Sequence, residues 1–313
     1  MHLNEFAESG APLDLTTTAE FASLTTSAAD LGIGHSPTVR YRSNNVVMRH
    51  QRFHYLEWGE PGAPPILLLH GSNQSAHSFD LVSLHLADRF HVYALDQRGH
   101  GDSEWAKDSD YSSMAMGLDA AAFIDAMGLE HLVVVGHSMG GQNAMRLALE
   151  HPDRVRKLVL VDIGPEVSED GAKVIRRFVT ETREFDDIDH FVARVQKYDP
   201  YRSRIHIERT VRYNLLRRAD GKFVSKHDHG PRLKATGEHR RRGDRFTLDD
   251  VRDLAMPLLI IRGADSAIFT AEAAERFAEA VPDSRLRIVP DAGHNVHGQN
   301  TPGFLHALVP FLV

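Results

Sequence analysis

Short, unbroken apolar runs separated by helical periods constrain this chain more than any other feature. Ile66–Leu69, Leu132–Val135, Leu158–Val161 and Leu258–Ile261 contain no polar residue, as expected of strands buried on both faces. His91–Leu95 and Leu286–Val289 read as further strands. Ser113–Met127, Gln142–Glu150 and Ala271–Val281 repeat apolar residues at helical spacing, and Thr301–Val313 reads as a closing helix. Strands alternating with helices in this way imply βαβ units and a parallel sheet covered on both faces. Upstream, Val46–Met48 and Phe53–Trp58 read as two short strands, with a turn between them and another at Gly59–Pro65.

The alternation stops after Pro165. Residues 166–246 read as helices and loops without a buried-strand signal. The expected fold class is α/β: a doubly wound, mostly parallel sheet over 45–165 and 247–313, interrupted by a mainly helical cap at 166–246. Residues 1–44, rich in Thr, Ala and Ser, are expected to be a mobile or loosely docked extension. A chain of 313 residues, 42% of them hydrophobic, can bury a core of this size.

Composition removes several function classes. With no cysteine, disulfides, thiolate metal sites and cysteine nucleophiles are excluded. A formal charge of -7 argues against a general nucleic-acid binder. The start MHLNEFAESGAPLDL has neither a basic nor an apolar signal region, so a cytoplasmic setting is expected. No apolar run approaches the roughly 20 residues that span a bilayer, so no membrane partner is expected. Twenty histidines, with pairs such as His227/His229 and His294/His297, could suggest metal, but no HExxH is present, and none is expected.

Gly136-His137-Ser138-Met139-Gly140-Gly141 matches G-x-S-x-G and lies between an apolar strand and a helix, the context that motif needs. So tight a turn strains the serine backbone and leaves no room for side chains at the flanking positions. Ser138 is therefore the candidate nucleophile, at a helix N-terminus whose partial positive charge favours a developing anion. An oxyanion hole needs two converging backbone N–H groups, and Met139 and Ser72 stand in the right places. Ser72 lies in His70-Gly71-Ser72-Asn73, which otherwise reads as an ordinary βα loop. A general base is expected late in the chain: His294, after Ala292-Gly293, with His297 as competitor.

These segments together resemble the α/β-hydrolase fold superfamily over about residues 45–313. The pattern includes LLLHGSNQSAHSF (67–79), Asp96-Gln97-Arg98-Gly99-His100-Gly101-Asp102-Ser103, LIIRGADS (259–266) and PDAGH (290–294). The resemblance implies a Ser–acid–His triad, a cap over the pocket, no cofactor and two-step acyl transfer to water. The family usually places the acid three residues beyond the glycine after the seventh strand, and here that residue is Ser266. Asp162, at the end of the sixth strand, is the expected acid, with Asp265 as the alternative. An aspartate in place of Ser138 would be needed for haloalkane or epoxide opening, so neither is expected.

The cap sets the substrate. Phe178 and Tyr198 are candidate pocket walls, joined by His70, Asn73 and His137 around the nucleophile, although His137 is expected to point into neighbouring structure rather than at the serine oxygen. The basic stretch Arg202–Arg245, with its Arg240-Arg241-Arg242 run, reads as a solvated face rather than a trap for an acidic substrate. The expected function is a serine hydrolase taking a small ester-like substrate and water. The alternatives are hydrolysis of a C–C or C–N bond next to a carbonyl, a cofactor-free perhydrolase, or a non-catalytic ligand receptor. Monomer and homodimer both stay open.

Overall fold

The computed structural model describes residues 13–181, 184–229 and 246–313. In chain order, β1 (Leu13–Asp14) and α1 (Ala19–Asp30) lead into a hairpin of β2 (Tyr41–Met48) and β3 (Gln51–Trp58). Then come β4 (Pro65–Leu69), α2 (Asp80–Leu86), β5 (His91–Leu95), α3 (Ser113–Ala126), β6 (Leu132–His137), α4 (Met139–Glu150) and β7 (Val155–Val161). The cap holds α5 (Glu169–Glu181), β8 (Glu184–Phe185), α6 (Ile188–Tyr198), α7 (Arg204–Arg212), β9 (Leu215–Arg217) and β10 (Phe223–Ser225). The sheet resumes with α8 (Leu248–Val251), β11 (Leu258–Gly263), α9 (Ala271–Ala280), β12 (Ser284–Val289), α10 (Val296–Gln299) and α11 (Thr301–Leu312).

The large sheet runs β1-β2-β3-β5-β4-β6-β7-β11-β12. Strands from β5 to β12 in that order pair parallel, while β1, β2 and β3 pair antiparallel at one edge. The unbroken apolar runs are explained by two cores on opposite faces. Ile66, Leu68, Val133 and Val135 face one, with Leu84, Phe304 and Leu308 of the helices. Leu67, Leu69, Leu132 and Val134 face the other, with Phe123, Leu147 and Phe277. Because side chains alternate along a strand, every residue of such a run must be apolar.

Two regions differ from the sequence expectation. From residue 13 onward the N-terminal segment is packed. Leu24 and Ala28 of α1 are buried in the first core, Tyr41 stacks on the buried Trp58 with ring centroids 3.5 Å apart, and His85 Nδ1 donates to Gly34 O at 2.7 Å. The docking stripe is Leu24, Ser27 and Ala28, at helical spacing but built mostly of small residues that resemble a polar linker. Residue 44 lies within β2, so the expected boundary cuts a strand. Residues 1–12 lie outside the described residues.

In the cap, α6, α7 and β9 share a small core of Phe191, Val192, Val195, Ile207, Val211 and Leu215, with Phe178 of α5 packed against it. They are accompanied by an unforeseen antiparallel sheet in the order β8-β10-β9. Its strands are two or three residues long and partly exposed, too short to show a period of two. The Arg240–Arg242 run lies outside the described residues.

If α1 is part of the core, Leu24→Ala costs about 2–5 kcal/mol in urea unfolding, as for other buried leucines. A change under about 0.5 kcal/mol would mean that the segment is only loosely attached.

Candidate active site

Ser138 links β6 to α4 with φ 51° and ψ -115°, a left-handed backbone that is unusual for a residue with a side chain. Two close approaches impose it. A Cβ on Gly136 would lie 2.4 Å from Gly140 O, and one on Gly140 would lie 2.1 Å from Leu69 O. The Ser138 N–H donates to Val161 O at 3.1 Å, which ties the turn to the end of β7. Strain of this kind persists only where packing fixes it on every side.

The next residue along β7 from Val161 is Asp162, fully buried and also at positive φ, 53°. Its carboxylate collects three donors. Gly263 N–H reaches Oδ1 at 3.1 Å, while the Ser266 hydroxyl and His294 Nδ1 (2.7 Å) both reach Oδ2. The other nitrogen of His294, Nε2, accepts from Ser138 Oγ at 2.9 Å. Ser138, His294 and Asp162 are thus brought into one hydrogen-bonded line. Asp265 stands apart from it. Its side chain is exposed and accepts from Tyr201 Oη at 2.9 Å. Ser266 is the residue whose part the sequence reasoning missed. It cannot carry the charge, but it donates to the carboxylate that does.

Ser72 lines the cavity above Ser138, and Met139 is the first residue of α4. Asn73, His137, Phe178 and Tyr198 line the same cavity, of about 490 Å³. Tyr198 packs on Phe178 with centroids 4.4 Å apart and donates to Val174 O at 2.8 Å. His137 is deeply buried, and its Nε2 donates to His294 O at 2.8 Å, holding the loop that carries His294. His70 departs from expectation, because it is fully buried and does not line the cavity. Its Nδ1 donates to Gly71 O, and its Nε2 accepts from Gln97 N–H at 3.0 Å, so it braces the loop after β4 against the end of β5. Nothing local in the sequence signals Gln74. Its Oε1 accepts from Gly71 N–H at 2.9 Å, and its Nε2 donates to Asn295 Oδ1 at 3.2 Å, joining the Ser72 loop to the His294 loop.

Burial, then the neighbouring His297 and His294, hold His137 well below its ordinary pKa. Burial, then Arg202 and His294, push His297 down to about 3. Both rings stay neutral near pH 7, so neither adds positive charge beside His294. Among the described residues, His54, Asp96 and Asp102 bring possible metal-ligand atoms within 4.8 Å of one another. These atoms already serve one another and the chain: His54 Nδ1 donates to Asp96 Oδ2 at 2.7 Å, and Lys226 Nζ donates to Asp102 Oδ1 at 2.6 Å. Among the described residues, no helix is long and apolar enough to cross a membrane.

The chain is similar to known proteins. The model of the alpha/beta hydrolase fold matches residues 64–301. Esterase Rv0045c of Mycobacterium tuberculosis is 30% identical over 90% of this chain and 92% of its own. Its crystal structure superposes with a TM-score of 0.74, covering 96% of this chain and 99% of that one at 29% identity. The 2-(acetamidomethylene)succinate hydrolase of Mesorhizobium japonicum is 28% identical over 81% of this chain and 90% of its own. A crystal structure of E-2-(acetamidomethylene)succinate hydrolase superposes with a TM-score of 0.78 at 26% identity, over 87% of this chain and 99% of that one.

The buried histidines make stability depend on pH. A histidine whose pKa is lowered by folding binds its proton more tightly in the unfolded chain. Its contribution is therefore complete above the unfolded value of about 6.5 and is lost as pH falls towards the folded value. For His297 that window runs from about 6.5 down to about 3. The urea midpoint should fall steadily from pH 7 to about pH 4.5, and His297→Phe should flatten the slope by up to about 1.4 kcal/mol per pH unit. An unchanged slope in His297→Phe would show that the ring is already protonated or solvated when folded.

Proposed function

Because the chain belongs to the α/β-hydrolase fold family, we propose that it is a serine hydrolase that cleaves an ester or similar acyl bond through an acyl-enzyme on Ser138. The observation that carries this reading is the line from Ser138 Oγ through both nitrogens of His294 to Asp162. An esterase and another hydrolase among its relatives support the same chemistry.

In the first step, His294 Nε2 takes the Ser138 proton as Oγ bonds to the acyl carbon. Negative charge gathers on the carbonyl oxygen, for which the backbone N–H groups of Ser72 and Met139 are the proposed donors. The imidazolium returns its proton to the leaving oxygen, and the alcohol departs, leaving the acyl group on Oγ. Water then repeats the sequence. It loses a proton to His294 Nε2 and attacks the acyl carbon, and Oγ leaves with that proton as the acid is released. Asp162 stays ionised throughout. It fixes the Nδ1–H tautomer of His294 and stabilises the imidazolium, while Gly263 N–H and Ser266 stabilise Asp162 itself.

Likeness to a hydrolase of 2-(acetamidomethylene)succinate favours a second reading, cleavage of a C–N bond next to a carbonyl. The same serine chemistry serves it, with an amine or enamine as the leaving group. Mass spectrometry of the products from paired ester and enamide substrates separates the two.

On a p-nitrophenyl ester, Asp162→Asn should lower kcat on the order of 10⁴-fold, as loss of a triad acid does, while Asp265→Asn should stay within about tenfold. The reverse ranking would move the acid to Asp265. Ser138→Ala should abolish both turnover and labelling by a fluorophosphonate. Equal hydrolysis by Ser138→Ala and the unaltered protein would remove the mechanism.

A further inference from the structure

The first cap helix, α5, carries an apolar stripe that the protein itself leaves partly uncovered. Gly171, Val174, Ile175, Phe178 and Val179 recur at i, i+3, i+4, i+7 and i+8, which puts them on one helix face. The basic residues Lys173, Arg176 and Arg177 fall on the other side, where Lys173 Nζ donates to Asp170 Oδ1 at 2.8 Å and Arg177 Nε to Glu181 Oε1 at 2.7 Å. In a folded protein such a stripe normally faces the core. Here only Gly171 is buried, Val174 is 50% exposed, and Ile175, Phe178 and Val179 are half-buried.

What lies against the stripe is the cavity above Ser138. All five residues line it, together with Val195 of α6 and Ile268 of the loop beyond β11. Contacts at both ends hold α5 in that position. A Cβ on Gly171 would lie 2.3 Å from Ala267 O, so the first turn of the helix sits directly on the loop beyond β11. Farther along, Tyr198 Oη donates to Val174 O at 2.8 Å, and the Tyr198 ring packs on Phe178. The helix thus presents an apolar face to the space in which a substrate of Ser138 must sit. Apolar atoms that cover such a face are favoured over water.

Charge decides against an anionic occupant. Two arginines line the cavity, and both are matched within the protein: Arg202 by Asp199 at 2.6 Å and Arg209 by Asp80 at 3.0 Å. Lys197 is exposed, where pairing with a carboxylate adds little. His137 and His297 are neutral near pH 7, and burial, then Arg209 and Arg202, lowers the pKa of His206 as well. Asp265 adds negative charge to the lining. A carboxylate entering from water would lose hydration without gaining a buried, unmatched cation among the described residues.

We infer that the stripe on α5, centred on Val174, Ile175 and Phe178, is the seat of an uncharged, apolar chain of the substrate ester, on its acyl or its alcohol side. The inference rests on the serine-hydrolase reading and adds the substrate class to it. Chain and stripe cover each other, so each methylene that reaches the stripe should raise kcat/KM by about threefold, the worth of one buried CH2.

The test measures kcat/KM of the full-length protein on two series: methyl esters of straight-chain acids from acetyl to octanoyl, and acetates of straight-chain alcohols from methyl to octyl. From butanoyl and butyl upward, each chain is also made with a terminal carboxylate in place of its methyl group. In one series kcat/KM should climb by about thirtyfold or more before levelling off. In that series the carboxylate-terminated chains should trail the methyl-terminated ones by about tenfold or more. Val174→Asp and Ile175→Asp should each lower the ratio of the best chain to the shortest by about tenfold or more, because the carboxylate undoes the apolar cover. Val174→Thr, close in size, should lower it by a few-fold should either variant fold poorly. A flat profile in both series, a carboxylate chain that matches the methyl one, or a climb that survives in all three variants overturns the inference. If Ser138 is labelled by a fluorophosphonate and esters turn over without a chain-length preference, the apolar seat alone fails. If neither labelling nor turnover occurs, the serine-hydrolase reading fails and the seat fails with it.

Discussion

The carboxylate of Asp162 holds the working end of the molecule together. A buried carboxylate without donors is costly enough to neutralise itself or to destabilise the fold. Here three donors arrive from separate parts of the chain: Gly263 at the end of β11, Ser266 in the loop beyond it, and His294 after β12. Satisfying one charge therefore fixes the carboxyl ends of neighbouring strands relative to one another. It also holds the ring of His294, whose far nitrogen meets Ser138 Oγ.

A second constraint works from the opposite side. The left-handed turn at Ser138 survives because the sheet and α4 approach too closely to allow any other path, as the contacts of Gly136 and Gly140 demonstrate. The turn and the carboxylate meet at the end of β7, where Val161 O accepts from Ser138 N–H and Asp162 follows directly. Neutral, buried His137 and His297 fill the space behind His294.

The fold was legible because a sheet buried on both faces must be written as unbroken apolar runs, and Leu67/Leu69 and Ile66/Leu68 feed two cores from one strand. Ser138 was legible for a related reason, because it ends such a run beside glycines that a tight turn requires, and His294 follows the last strand next to Gly293. Less visible features have equally physical causes. The docking stripe of α1 uses small residues, and the cap strands are too short to alternate. His70 stands near the nucleophile loop in a way that suggests the cavity, yet its ring turns inward to Gln97 N–H. Gln74 and Ser266 act across loops far apart in sequence, so no spacing could announce them.

The sequence by itself determined the sheet and its helices, the turn that raises Ser138 and the position of His294, because local sterics and burial dictate all of these. It left Asp162 and Asp265 as rivals, and it left the nature of the cavity wall open. Tertiary structure decided which carboxylate lies within reach of His294. Asp265, one residue early in its loop, projects to Tyr201, whereas the positive-φ backbone of Asp162 sits where the loops beyond β11 and β12 converge. It also brought Ser72, Phe178, Tyr198 and His294 into the lining of one cavity. Such groupings arise from the crossing of loops at the end of a sheet, which no window along the chain can contain.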